Sequence, residues 1–263
     1  MLKKLLKYDL SSIFKFLIIF YSLSIIFAVS SRFFLSFEKS LAMEIIGRIF
    51  SGAAISMMFS TIINNLMRLW VRFKTNFYND ESYLTHTLPV KRTTQYLSKF
   101  ITAVITMVVS ISVIALSLFI SYYSKENMDF VKSLLFPLAD SINISTFGLV
   151  FALILLIFLE FLNILQCGFT GLILGHSMNS KKMGMSVLFG FIASLVTQFA
   201  LLLVLFAFAL FNDNVMNMFI TNSPVDFTTF KLLAIIAIVV YMIIICAVCL
   251  FNLKQFKRGV NVD

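Results

Sequence analysis

A chain of 263 residues that is 60% hydrophobic and only 13% charged is not an ordinary soluble domain, since those carry about 25% charged residues. The formal net charge of +9 invites a nucleic-acid reading. The basic residues, however, gather at the ends of apolar runs, where they set membrane orientation, and no nucleic-acid partner is expected.

The mean hydropathy of +0.98 comes from six long apolar runs. They lie at about 12–30, 46–67, 100–122, 147–174, 185–211 and 231–253, each near the length of about 20 residues that crosses a bilayer as helix. They are continuously apolar rather than alternating, which argues against a closed barrel. The expected fold class is therefore all-α: a polytopic membrane protein with six transmembrane helices in a single membrane domain, 1–263.

Before the first run, Leu2, Leu5, Leu6 and Leu10 recur at helical spacing opposite Lys3, Lys4 and Lys7. That pattern predicts an interfacial helix over 1–11 that lies on the membrane before the chain turns into it. Ala28-Val29-Ser30 imitates a signal-peptide cleavage site, but the run before it is long for such a leader, and cleavage is not expected. In the second run Gly52, Ser56, Ser60 and Asn64 form a small-residue stripe. At its outer end Glu44 and Arg48 are spaced for a local ion pair. Thr102, Thr106, Ser110, Ser117 and Ser121 form a similar stripe in the third run. Such faces read first as helix packing, with a polar translocation surface as the alternative.

Between the second and third runs lies a polar island, the segment 78–94. Asn79 or Asp80 is placed to cap a short helix reaching about Leu88, with Asp80 and Glu81 in the favourable first turn. Tyr83, Leu84, Thr87 and Leu88 would share one side, and Pro89 ends the helix. Thr93 or Thr94 is placed to cap the next. Beyond the third run, 124–146 reads as a helix lying on the membrane, with Phe130, Leu134, Leu135 and Leu138 on one side and Pro137 near its end. Residues 212–230 read as a second segment dipping toward the membrane.

Glu160 is the carboxylate near the middle of a span, and Asn163, Cys167 and Gly171 share its face. A charge at that depth costs roughly 2.5–3.5 kcal/mol on insertion scales and so faces protein or water. Gln198, at comparable depth in the fifth run, is its candidate partner. The group reads either as a helix lock or as a substrate-contacting site. Cys167, Cys246 and Cys249 all fall inside spans, so no extracellular disulfide framework is expected. Most of the 21 Lys and Arg residues fall on the segments that share a side with both termini, which places both termini in the cytoplasm.

None of the nine glycines begins a P-loop, and the two histidines, His86 and His176, sit in separate loops, short of a metalloprotease motif. No enzymatic activity, resident cofactor or metal is expected of this chain.

The run Asp80-Glu-Ser-Tyr-Leu-Thr-His-Thr-Leu-Pro-Val-Lys-Arg92, followed by Leu97-Ser-Lys99, resembles the first cytoplasmic loop of ABC-2-type transporter permeases. It is most similar to the short six-span permeases of Gram-positive bacteria, and the layout of N-terminal helix, six spans, short outer loops and basic tail is similar too. The resemblance implies a cytoplasmic coupling helix that docks on a separately encoded ABC ATPase subunit, where ATP and Mg would be bound. It also implies a second permease chain, as homo- or heterodimer, in the bacterial plasma membrane. Carried over by position, Asp80, Glu81, Tyr83, Leu84, Thr87, Leu88 and Pro89 would make or position the ATPase contact. Glu160, Asn163 and Gln198 remain candidates for the pathway or for locking helices. Export of a peptide or other amphipathic substrate is the implied function, as in antimicrobial-peptide and lantibiotic exporters. The alternatives are a non-translocating scaffold or sensor subunit and an ion-coupled carrier using Glu160.

Overall fold

The structure, a computed structural model, describes residues 1–37, 40–79, 81–212, 215–216 and 227–258. Among the described residues every regular element is a helix: α1 (Leu2–Leu35), α2 (Leu41–Tyr78), α3 (Ser82–Thr87), α4 (Arg92–Tyr122), α5 (Lys125–Ser141), α6 (Thr146–Gly175), α7 (Lys182–Ala209) and α8 (Phe227–Arg258). Six of them, all but α3 and α5, are long and apolar enough to cross a membrane, which makes this a multi-pass membrane protein.

Several helices outrun the apolar runs that announce them. Inside a bilayer each backbone N–H and C=O must bond within its own segment, and a helix so formed continues into polar sequence until something stops it. The clearest case corrects the expectation of a separate interfacial helix over 1–11, because α1 is one helix from Leu2 to Leu35. No Gly or Pro interrupts it. Its buried stripe, Asp9, Ile13, Leu17, Tyr21, Ser24, Ala28 and Ser31, passes without a break through the expected turn.

The chain divides into two compact units, Met1–Asp129 and Phe130–Asp263. In the first, α1 packs on both α2 and α4, parallel to α4 and antiparallel to α2. Polar contacts mark its length: the Tyr21 hydroxyl lies 2.8 Å from Ser110 Oγ, Asn65 Nδ2 donates to the same Oγ at 2.9 Å, and Ser24 donates to Ser117 at 3.0 Å. At the far end Ser31 donates to the Gly47 carbonyl. Thr102, Thr106, Ser110, Ser117 and Ser121 are all buried, so the α4 stripe is a packing face. The α2 stripe is not one. Gly52 and Ser56 are exposed, and Ser56 and Asn64 return their hydrogen bonds to Gly52 and Ser60 on their own helix. The buried face of α2 carries Gly47, Ala54, Met58, Thr61 and Asn65 instead.

In the second unit α6 packs on α7 and α8. The α6–α7 approach is close enough to require glycine. A Cβ on Gly171 would strike the Ser186 carbonyl and lie 2.6 Å from the Gly190 nitrogen, and one on Gly175 would strike Ser186. On the α8 side, Thr170 donates to Asn252 Oδ1 at 2.8 Å, and Asn252 Nδ2 donates to Gln166 Oε1 at 3.0 Å. Of the two segments expected to lie on the membrane, the first, 124–146, forms α5 over most of its length, with Phe130, Leu134 and Leu138 exposed and Pro137 inside the helix. Most of 212–230 lies outside the described residues.

Backbone atoms cannot yield as a flexible side chain does. Gly171→Ala should therefore destabilise the purified chain by about 2 kcal/mol, read as a lower temperature for loss of monodispersity in detergent. Gly52→Ala, whose Cβ meets nothing within 4 Å, should leave that temperature unchanged. Equal behaviour of the two variants would refute the close α6–α7 approach.

Candidate functional site

The end of the first unit that carries α3 is built around charge. Asp9 sits on the third turn of α1, buried, and receives Lys99 Nζ from α4 at 2.5 Å and Ser98 Oγ at 3.1 Å. Arg72 of α2 lies 3.9 Å from the same carboxylate. Arg72 Nη1 also donates to Glu81 Oε1 at 2.9 Å, and Asn76 Nδ2 donates to Glu81 Oε2 at 2.7 Å. Asn76 closes the circuit by accepting from Lys99 Nζ at 2.9 Å. Two carboxylates and two cations from α1, α2, α4 and the start of α3 thus form one connected network. The Phe73, Phe77 and Tyr96 rings pack edge-on beside it.

α3 is a six-residue helix resting on this network. Its bounds differ from the expected ones: it begins at Ser82 with Glu81 at the N-cap, and among the described residues no side chain caps it. Glu81 is engaged instead by the Arg72 guanidinium and the Asn76 amide. Asp80 lies outside the described residues, as does the side chain of His86. The next helix starts at Arg92 with Lys91 at its N-cap, two residues ahead of Thr93, the nearer of the threonines expected to cap it. Gln95 Nε2 donates to the Thr85 carbonyl at 2.8 Å and ties α3 to α4.

The remaining residues expected on α3 turn outward. Tyr83 is 73% and Leu84 72% exposed, and Leu88 is 44% exposed at the C-cap. Thr87 is exposed and returns its hydroxyl to the Leu84 carbonyl, and Pro89 is exposed just beyond. A short helix fixed at its base and presenting an aromatic and a leucine to its surroundings can bear on another protein. It can also transmit displacement to three spans.

Glu160 and Gln198 come together in the second unit, where Gln198 Nε2 donates to Glu160 Oε1 at 2.7 Å. The Tyr241 side chain of α8 reaches both. Asn163 does not join them. One turn on, it is fully buried and donates to Thr197 Oγ1 at 3.1 Å, with Cys167 Sγ 3.7 Å from the same hydroxyl. The expected trio is thus two separate layers of the α6–α7 contact. Glu44 and Arg48 pair at 2.6 Å on an exposed surface, where such a pair adds little stability.

Reading the sequence missed Asp9, Arg72, Asn76 and Gln95 as site residues. One signal was present: Asp9 is the lone acid in the first 37 residues, set among Lys3, Lys4, Lys7 and Lys15.

Removing one member of a buried pair strands the other and costs about 3–5 kcal/mol, whereas replacing both by apolar groups is often neutral. Asp9→Asn should therefore destabilise the chain strongly in a detergent unfolding titration, and Asp9→Asn with Lys99→Met should recover most of the loss. Additive losses in the double variant would show that the two do not act as a pair.

Neither a protein-family model, nor a curated protein, nor a solved structure matches this chain.

Proposed function

We propose that this chain is the membrane-spanning permease subunit of an ABC-type exporter, driven by a separate ATPase that docks on α3. The observation that carries this reading is the combination at α3: Tyr83 and Leu84 stand exposed at its tip, while Glu81 at its base is held by Arg72 and Asn76. A contact helix that must convey force needs both an accessible face and a stiff attachment. The sequence from Asp80 to Arg92, similar to the first cytoplasmic loop of ABC-2 permeases, supports the same role. In this mechanism ATP-driven closure of two ATPase subunits presses on α3, and the spans exchange between inward- and outward-open arrangements. Such a population shift is limited by the differential interaction energy of the two states. A second copy or a related chain would complete the pathway. Apolar, Phe-rich spans suit an amphipathic cargo such as an antimicrobial peptide, exported across the bacterial plasma membrane with both termini of the permease in the cytoplasm.

One observation favours a second reading. Glu160 Oε2 is buried and receives no hydrogen bond of good geometry among the described residues, an arrangement that an ion-coupled carrier could use. Such a carrier would need Glu160 for turnover and no ATPase.

Tyr83→Glu or Leu84→Glu should abolish recovery of a P-loop ATPase with the affinity-tagged chain. A charge in a contact of this kind costs about 2–4 kcal/mol, a loss of roughly thirtyfold or more in affinity. Insertion and size-exclusion behaviour should stay as in the parent, because both side chains are exposed. Undiminished ATPase recovery with both variants, or transport by the parent that stops on Glu160→Gln without any ATPase, would refute the exporter reading.

A further inference from the structure

In the second unit α7 and α8 both lean on α6 and meet each other sparingly. Between them runs a groove of about 370 Å³, floored by Thr170 of α6 and walled by Phe189 and Val196 of α7 and by Ala247 and Phe251 of α8. The two hydroxyls in its lining, Thr170 and Thr197, already donate to Asn252 and to the Ser194 carbonyl. The rest of the lining is apolar and gives a polar ligand little to bind. Left empty, such a groove forfeits the dispersion contacts its walls could make. Its volume equals roughly a dozen units the size of a water molecule, about 30 Å³ each. That is room for a stretch of acyl chain but not for a helix, about 10–12 Å across.

Any lipid tail is as apolar as this lining, so selection has to come from the end of the groove. Lys254 and Arg258 stand three and seven residues beyond Phe251, on the same side of α8, and both are exposed. Lys182 stands seven residues before Phe189, on the same side of α7. The described carboxylates of this unit, Asp140 and Glu160, lie in α5 and midway along α6, so among the described residues this end carries cations and no acid. In the first unit, by contrast, Asp9 and Glu81 balance Lys99 and Arg72. A basic cluster between spans attracts anionic headgroups. Phe189 lies about 10 Å along α7 from Lys182, so a headgroup at the cationic end sets its tail in the groove, within one leaflet of a core about 30 Å thick. We propose that the groove binds one anionic glycerophospholipid of the surrounding membrane, with an acyl chain along the apolar walls and the phosphate at Lys254 and Arg258. The proposal rests on the membrane spans and not on the exporter reading. A second copy of the chain suits the groove less, because a two-fold axis brings the same patch against itself and the two cationic ends would repel.

The test uses the delipidated full chain in detergent, titrated with dioleoylphosphatidylglycerol or dioleoylphosphatidylcholine and read by native mass spectrometry. One phosphatidylglycerol should be retained over phosphatidylcholine by about tenfold or more, the selectivity that two cations beside a headgroup supply. Lys254→Gln with Arg258→Gln should remove most of that preference, and because both side chains are exposed the fold is spared. Lys3→Gln with Lys4→Gln, an equal loss of charge at exposed positions of α1, should leave the preference unchanged. Ala247→Phe, at another exposed position, should fill the groove and lower retention of the single lipid. Glycerol phosphate, which has the headgroup chemistry without a tail, should not displace it. Equal retention of the two lipids by the parent would overturn the proposal, as would a preference lost equally in the α1 and α8 variants or retention unmoved by Ala247→Phe. Displacement by glycerol phosphate would overturn it in favour of a site for free anions. A delipidated dimer that Ala247→Phe converts to monomer would overturn it in favour of an interface between copies.

Discussion

The Asp9 carboxylate and the Lys99 ammonium meet at 2.5 Å, although 90 residues separate them. Neither is free to leave. Each is buried on a helix long enough to span a membrane, and either charge alone there would face a desolvation cost of several kcal/mol. Lipid offers helices no hydrophobic reason to associate, since its tails are as apolar as leucine. Directional polar contacts and close packing have to supply the specificity that burial supplies in water. The pair fixes the register of α1 against α4, and the contacts Tyr21–Ser110 and Ser24–Ser117 follow at the spacing that register dictates.

The second unit meets the same constraint by other means. Its α6–α7 contact rests on backbone proximity at Gly171 and Gly175, and its α6–α8 contact on the neutral amides and hydroxyl of Gln166, Thr170 and Asn252. Its one carboxylate in mid-span, Glu160, is met by Gln198 rather than by a cation. Charge is thus concentrated in the first unit, at the α3 end, where in the proposed exporter force would enter the spans. Neutral contacts hold the helices that carry Glu160.

Much of the architecture was legible because bilayer thickness is a hard length scale. Six apolar runs became six long helices, and equal depth in neighbouring runs correctly suggested Gln198 for Glu160. Helix ends were not legible, because hydropathy stops at the interface while backbone hydrogen bonding does not, and α1 and α2 therefore extend well into polar sequence. Asn163 was grouped with Glu160 by face alone, yet one turn of helix sufficed to give it a different neighbour, Thr197. The buried network stayed hidden for another reason. Arg72 and Lys99 were read as markers of orientation, a role that basic residues at span ends usually fill, and no local pattern links either to Asp9. Only the tertiary approach of α1, α2 and α4 turns these markers into partners.

Continuity of α1 has a mechanical consequence. At about 1.5 Å per residue its 34 residues make a rod of about 51 Å, longer than the roughly 30 Å hydrocarbon core. Sharp helix bends arise mostly at proline, at glycine pairs or at bulges, and neither α1 nor α4 contains a glycine or proline. A tilt of about ten degrees imposed at the Asp9 end would therefore sweep the opposite tip by about 9 Å, the geometry of a lever of that length. In the proposed exporter, α1 and α4 would carry such a tilt along their whole length without bending.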